Sequence, residues 1–264
     1  MVPIHVSADI LLAGGYSDYE IDTERKLELT FEFREDCDVF VRVKNAGEVR
    51  IRGFVHENVR ASLLFWNDCA APVEWDDGFE VMGNADFTAA YCECAAGDVK
   101  RNSFVSLRQP GARALVSTAS LVASKKNYRM QVVNYAPHTF GDMKNYAVVK
   151  EGGNLLIDAV GRIVKGASRS ESHQTSRALC FENGQKSEIL PELLIDEDDV
   201  KASHAMSIGR VDEDQLYYMM SRGLSADACA SLISTGYLMP VCDVIDNPEL
   251  KEQLRAELER KLAV

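Results

Sequence analysis

The chain has 264 residues, 46% of them hydrophobic and 27% charged, a balance that suits one large or two small soluble globular domains. Its 41 acidic and 29 basic residues give a formal net charge of −12, a field that disfavours nucleic acid as a partner. No run of about 18 apolar residues occurs, so no membrane span is expected, and MVPIHVSADI lacks the basic and apolar segments of a secretory signal.

Strand character begins at Lys26. From there to Phe33 the sequence alternates strictly, with Leu27, Leu29, Phe31 and Phe33 on one face and Lys26, Glu28, Thr30 and Glu32 on the other. Period two marks a half-buried strand. Val39–Val43, Glu48–Ile51, Ala61–Trp66 and Ala85–Cys94 follow, then Tyr128–Asn134, Tyr146–Lys150, Leu155–Val160 and Arg177–Phe181. Turn chemistry separates them at Asn45-Ala46-Gly47, Asn67-Asp68, Gly83-Asn84, Gln109-Pro110-Gly111, Glu151-Gly152-Gly153-Asn154 and Glu182-Asn183-Gly184. Short strands about ten residues apart suit a sandwich, a barrel or a β-solenoid; with no repeat of 20–50 residues evident the pattern does not choose among them, and on physics alone the sandwich ranks first.

After Val211 the period changes. Asp212 is placed to cap a helix from Glu213 to about Arg222, with Gly223 as its stop. Ser225 is placed to cap a second helix, Ala226–Leu238, which Pro240 is expected to end. A third begins near Pro248, with Leu250, Leu254, Leu258 and Leu262 forming an apolar stripe suited to packing as a cap. The predicted division is a β region over 1–211 and a helical domain over 212–264.

Few residues carry chemistry by pattern alone. Phosphate-cradling, nucleophile-elbow and HExxH motifs are missing, and Gly14-Gly15 and Gly152-Gly153 read as turns. The acidic runs Asp196–Asp199 and Asp212–Asp214 read as solvated loops or helix starts, without the spaced pattern and glycine of a calcium loop. The seven cysteines (Cys37, Cys69, Cys92, Cys94, Cys180, Cys229 and Cys242) are odd in number and widely spaced, which fits free thiols in a reducing cytoplasm. Cys92-Glu93-Cys94 places two thiols on one face of a strand, yet lacks the further ligands of a zinc or cluster site and reads as core. The histidines His5, His56, His138, His173 and His204 form no HxH or HxxxH pair and, taken singly, read as structural.

One stretch is more specific. Asp196–Asp199 leads through Val200-Lys201-Ala202-Ser203-His204 to Ile208-Gly209-Arg210-Val211, and then into Asp212-Glu213-Asp214-Gln215-Leu216-Tyr217-Tyr218-Met219-Met220-Ser221-Arg222-Gly223. Upstream stand Asp158–Ala167 with Gly161-Arg162-Ile163-Val164-Lys165-Gly166-Ala167, Gln174-Thr175-Ser176-Arg177, and Val133–Thr139. Together these resemble the SufB/SufD family of SUF iron–sulfur cluster assembly scaffolds, clearly over about Arg129–Val241 and loosely back to about Leu27.

The resemblance implies a right-handed parallel β-helix core with a small C-terminal α-helical domain, in place of the sandwich. It implies a cytoplasmic, non-ATPase scaffold rather than an enzyme. Its partners would be a SufC-type ABC ATPase gripped by the C-terminal helices and a SufB-type chain or a second copy of itself. Its cofactor would be a transient iron–sulfur cluster at the paired interface, with none stably bound. Tyr217, Tyr218, Met219 and Met220 are candidate anchors for the ATPase, since aromatic and Met side chains are enriched at interfaces. Ser176 falls where SufB-type chains carry a cluster-linked cysteine, and Ser203 and Ala205 flank His204 where they carry acids, so the resemblance is to the SufD side. His204 then matches the family's interface histidine and is the candidate iron ligand. Cys180, four residues past Ser176 and on the same face of a strand, is the substitute ligand if the chain pairs with itself. The alternative is an interaction subunit that recruits the ATPase without ligating iron.

Overall fold

The computed structural model describes residues 1–5, 7–12, 14–181 and 185–262, Ser7 by its backbone only. In chain order these form β1 (Val2–Pro3), β2 (Ser7–Leu12), β3 (Gly15–Asp22), β4 (Leu27–Phe33), β5 (Cys37–Asn45), β6 (Glu48–Val55), β7 (Arg60–Asn67), β8 (Val73–Val81) and β9 (Asp86–Glu93). There follow β10 (Val99–Leu107), β11 (Arg113–Val122), β12 (Lys125–Asn134), β13 (Phe140–Val149), β14 (Asn154–Ile163), β15 (Glu171–Cys180), β16 (Lys186–Ile195) and β17 (Lys201–Arg210). Among the described residues three helices follow the strands: α1 (Glu213–Ser221), α2 (Ala226–Cys242) and α3 (Pro248–Leu262). The turn expected at Glu182-Asn183-Gly184 lies outside the described residues.

Odd-numbered strands make a nine-stranded sheet and even-numbered strands an eight-stranded one, each strand lying beside the next of its own parity. Every pair is parallel. The chain therefore steps from sheet to sheet and back, building a parallel β-solenoid, and the sandwich ranked first on physics alone gives way to it. The repeat is hidden because the turns lengthen along the chain. Ser7 stands beside Glu28, Arg113 beside Phe140 and Asn154 beside Lys186, offsets of 21, 27 and 32 residues.

Burial explains the composition of each strand. β4 alternates because one face lines the interior and the other meets water. β7, in contrast, is buried at every position after Arg60, so Ala61–Trp66 loses the alternation and is apolar except at Ser62. Ala61, Leu63 and Phe65 point into the solenoid, while Leu64 and Trp66 point outward into a second apolar layer with Phe40, Ala90, Cys92 and Leu121.

The helices cover that outer layer. Leu250, Leu254 and Leu258 of α3 are buried in it with Leu238, Val241 and Cys242 of α2, so the leucine stripe packs as a cap. Arg42 on the sheet bonds Glu257 of α3 at 2.8 and 2.9 Å and Asp68 at 2.9 Å, and Lys261 reaches Asp68 at 3.0 Å. The expected caps form: Asp212 accepts from the backbone N–H of Asp214 and Gln215, and Ser225 accepts from Ala228. Gly223, at φ 95°, turns the chain out of α1 through a conformation that a side chain would strain.

α2 departs from expectation by running through Pro240 to Cys242. Gly236 and Pro240 lie on its exposed side, where water meets the carbonyl that proline leaves without a donor. Leu238, Val241 and Cys242 meanwhile bury themselves on the sheet, which outweighs one lost backbone bond.

Inside the solenoid, between β8, β9 and β10, sits an ion cluster. Arg101 bonds Asp77 at 3.2 Å and also Glu93, with its guanidinium 3.9 Å over the Tyr91 ring. Tyr91 and Ser103 donate to Asp77 at 2.7 and 2.8 Å, and Asn67 donates to Glu93 at 2.7 Å. Burial pulls the Arg101 pKa down, but Glu93 and Asp77 outweigh it and the net shift is upward, so the cation persists.

Candidate functional site

The segments singled out in the sequence stack on one another in the last turns of the solenoid. Val133–Thr139 forms a corner: Asn134 donates to Thr139 Oγ1 at 2.8 Å and to the Glu171 carbonyl at 3.2 Å, and Thr139 donates to the Ala136 carbonyl at 2.9 Å. The turn Lys165-Gly166-Ala167 meets the acidic run one rung later, where Gly166 N–H donates to Glu197 at 2.8 Å. Arg162 pairs with Asp196 at 3.2 Å, Lys165 with Glu197 at 3.8 Å and Arg169 with Asp199 at 3.6 Å. The acidic run is therefore a ladder of surface ion pairs, weak in stability but fixing how the last rung stacks. The backbone N–H groups of Gly166 and Asp198, with Lys165 beyond them, hold the Glu197 carboxyl below its usual range.

The final rung is open. β17 is the free edge of the nine-stranded sheet and β16 of the eight-stranded one. In β15 the inward row Ser172, Gln174, Ser176, Ala178 and Cys180 is buried. Its register partners in β17 are Ala202, His204, Met206, Ile208 and Arg210, and every residue of β17 is exposed. Leu190, Leu194 and Ile195 of β16 are exposed beside them. His204 thus occupies the interior side of the last rung, at the open end of the solenoid.

A line of polar side chains reaches this end from within. Thr118 donates to Asn145 Oδ1 at 2.9 Å, and Asn145 donates to Ser176 at 3.1 Å, with Met206 next in register. Gln174, beside His204, donates to the Glu192 carbonyl at 2.8 Å. His173 points to the outer face, where its Nδ1 meets Ser203 at 2.7 Å and its Nε2 meets Glu171 at 3.2 Å. Lys201, followed by His173, holds the Glu171 carboxyl below its ordinary pKa.

Cys180 and His204 share the interior side but are not brought together. His204 pairs with Gln174, six residues before Cys180, and at about 3.3 Å per residue that places the two about 20 Å apart along the strands. Cys180 is buried at the end of the solenoid core, as Ser176 is on the same face. No group of three His, Cys, Asp or Glu side chains able to hold a metal ion occurs among the described residues.

α1 is the second exposed feature. It buries none of its residues, and Tyr217, Tyr218 and Met220 are 76%, 59% and 47% exposed, while Met219 is half-buried. Arg222 stacks on the Tyr218 ring and donates to its hydroxyl at 3.1 Å, which fixes that ring in the open. Two features escape sequence reasoning. The Arg101 cluster is legible only once Val73, Trp75, Phe79 and Val81 set the inward phase of β8 and Asp77 is seen to fall on it. The meeting of Cys242 with Cys92 requires the helix to continue past Pro240.

Comparison with known proteins agrees with this arrangement. The family described as SUF system FeS cluster assembly, SufBD core domain, matches residues 66–237. The iron–sulfur cluster assembly protein SufD of Bacillus subtilis is 36% identical over 137 residues, 52% of this chain and 31% of that protein. SufB of the same organism is 24% identical over 172 residues, 64% of this chain and 34% of its own length. A SufBD family protein of Mycobacterium bovis is 30% identical over 130 residues, 49% of this chain and 15% of that protein. The matched stretch spans about a third or less of each of these relatives. With its family match extending across most of the solenoid and into α2, and its higher identity to SufD than to SufB, the chain belongs to the SufBD core domain family and is SufD-like.

Proposed function

We propose that this chain serves iron–sulfur cluster assembly as a non-ATPase scaffold subunit. It pairs through its last rung with a SufB-type chain or a second copy, and docks a SufC-type ABC ATPase through α1. The cluster is cargo, built at the paired interface. The observation that carries this reading is β17, which exposes all ten of its residues while presenting His204, Met206 and Ile208 on the side that the preceding strand β15 buries. A free strand edge with apolar side chains is a template for pairing. The exposed Tyr217, Tyr218 and Met220 support the ATPase-docking part, because large aromatic and Met side chains gain most from burial at an interface.

The separation of Cys180 from His204 bears on the cargo. Among the described residues His204 is the one imidazole on the interior side of this end, His173 lying on the outer face, so the remaining ligands come from the partner across the interface. The second reading, an interaction subunit that never ligates iron, draws on that same separation. His204→Ala decides between them. Because His204 is exposed, the variant is expected to melt with the wild type and to keep pairing and ATPase binding, yet to fail in cells that depend on this assembly system. Full complementation by a normally folded variant would favour the second reading.

A further inference from the structure

The Cys92-Glu93-Cys94 pair meets a third thiol in the fold. Cys92 and Cys94 project from the outer face of the nine-stranded sheet into the layer beneath α2 and α3, and Cys242, the last residue of α2, joins them there. All three are buried and free. Cys92 and Cys242 share this buried layer, where Cys242 lies close enough to raise the Cys92 thiol, and the Cys242 thiol donates to the Leu238 carbonyl at 3.9 Å. Cys94 is held from the other side, its carbonyl accepting from Lys261 at 3.2 Å. Two buried thiols that share one layer and influence each other need only a modest backbone movement to become bonded.

The closed protein keeps the pair quiet. Burial, reinforced by the neighbouring Cys242 thiol, pushes the Cys92 thiol well above its ordinary value, which leaves little thiolate to react. The route in is the end of α2. Pro240 has no N–H to give the Gly236 carbonyl, so the last turn, which carries Cys242, is tied by fewer backbone bonds than the rest of the helix.

We propose that Cys92 and Cys242 form a reversible disulfide latch that fastens α2 to the solenoid under oxidising conditions. With hydrogen peroxide as oxidant, the Cys242 thiolate attacks one peroxide oxygen when the last turn opens, forming a sulfenic acid and releasing hydroxide. On closure the Cys92 thiolate attacks the Cys242 sulfur, the S–S bond forms and a second hydroxide leaves. The two thiol protons convert both hydroxides to water, so two thiols and one peroxide give one disulfide and two waters. A dithiol reductant reverses the step. The latch joins residues 150 positions apart (92 to 242), so it ties the helical tail to the solenoid in the unfolded chain as well as the folded one. It stands independently of the proposed partners.

The test uses the whole chain, reduced, then treated with hydrogen peroxide, alkylated and digested for mass spectrometry. The expected product is a Cys92–Cys242 linked peptide pair lighter by two hydrogens than the sum of its parts and separated again by dithiothreitol. It is expected to persist in Cys94→Ala and to vanish in Cys242→Ala, and because the wild-type mass is itself the readout, a poorly folding variant does not spoil the test. Oxidation is further expected to slow amide exchange across α2 by about tenfold and to raise Tm by about 2–4 °C. The proposal is overturned if no link forms, if it forms only in urea, if Cys242 goes to sulfinic acid unlinked, or if exchange across α2 is the same before and after oxidation.

Discussion

The rungs built by β7 to β12 and the rung built by β16 and β17 use the same extended strands, but only the former have a neighbour on each side. In the middle of the solenoid a polar side chain survives inside only with its complement: Arg101 has Asp77 and Glu93, and Glu93 has Asn67. Along β17, the outer strand of the last rung, polar and apolar side chains alike stand in water, and His204, Met206 and Ile208 are exposed on the side where their counterparts in β15 are buried. The burial of a strand in a solenoid is thus set by whether another rung follows it. A terminal rung left open is either a cost or an interface, and the apolar content of β16 and β17 argues for the interface.

The largest expected effect breaks the middle. Arg101→Met leaves Asp77 and Glu93 buried without their cation, and is expected to cost about 3–5 kcal/mol in urea unfolding. Arg210→Met, on the exposed last rung, is expected to stay within about 0.5 kcal/mol of wild type in the same assay. Equal losses would mean that the two rungs do not differ as described.

Leu254→Ala extends the comparison to the outer layer. Leu254 is fully buried between α3 and the sheet, so the variant is expected to lose about 3 kcal/mol. A loss below about 1 kcal/mol would show that α3 is a loosely held appendage rather than part of the same core.

Alkaline titration sharpens the contrast in a different currency. Burial pushes the interior thiols of Cys37 and Cys69 up to about 11 from 9.0. Between pH 9 and 11 the unfolded chain has released these protons while the folded chain retains them, so stability is full below pH 9 and falls as pH rises through 11. Each thiol contributes a decline of at most about 1.4 kcal/mol per pH unit. Unfolding free energies measured at pH 8, 9, 10 and 11 should trace that fall. A flat profile would show the interior to be wetter than its burial implies.

The smallest effect on stability is expected at the open end, where the effect on assembly is largest. Met206→Asp with Ile208→Asp is expected to change unfolding free energy by no more than about 0.5 kcal/mol, because both side chains are exposed. Sedimentation should show the double variant failing to pair where the wild type pairs. Unchanged pairing would move the interface away from β17.

Local chemistry was readable along the chain. The alternation in Leu27–Phe33, the strand at Ala61–Trp66, the caps Asp212 and Ser225, and the stop at Gly223 are each settled by a few neighbouring residues, and each appears in the fold. The motif segments also carried the family, since their residue types and order are a property of the sequence itself. What tertiary structure decided is everything that depends on register across turns. Alternation is the same in a sandwich and a solenoid, and offsets that drift from 21 to 32 residues conceal which strand lies beside which. That register sets Asp77 against Arg101, keeps Cys180 and His204 about 20 Å apart, and lays α2 over β9 so firmly that it continues through Pro240 and brings Cys242 to Cys92. A strand's period fixes which face a side chain takes, whereas its neighbours across the sheet are chosen by loop lengths and packing summed over whole turns of the chain.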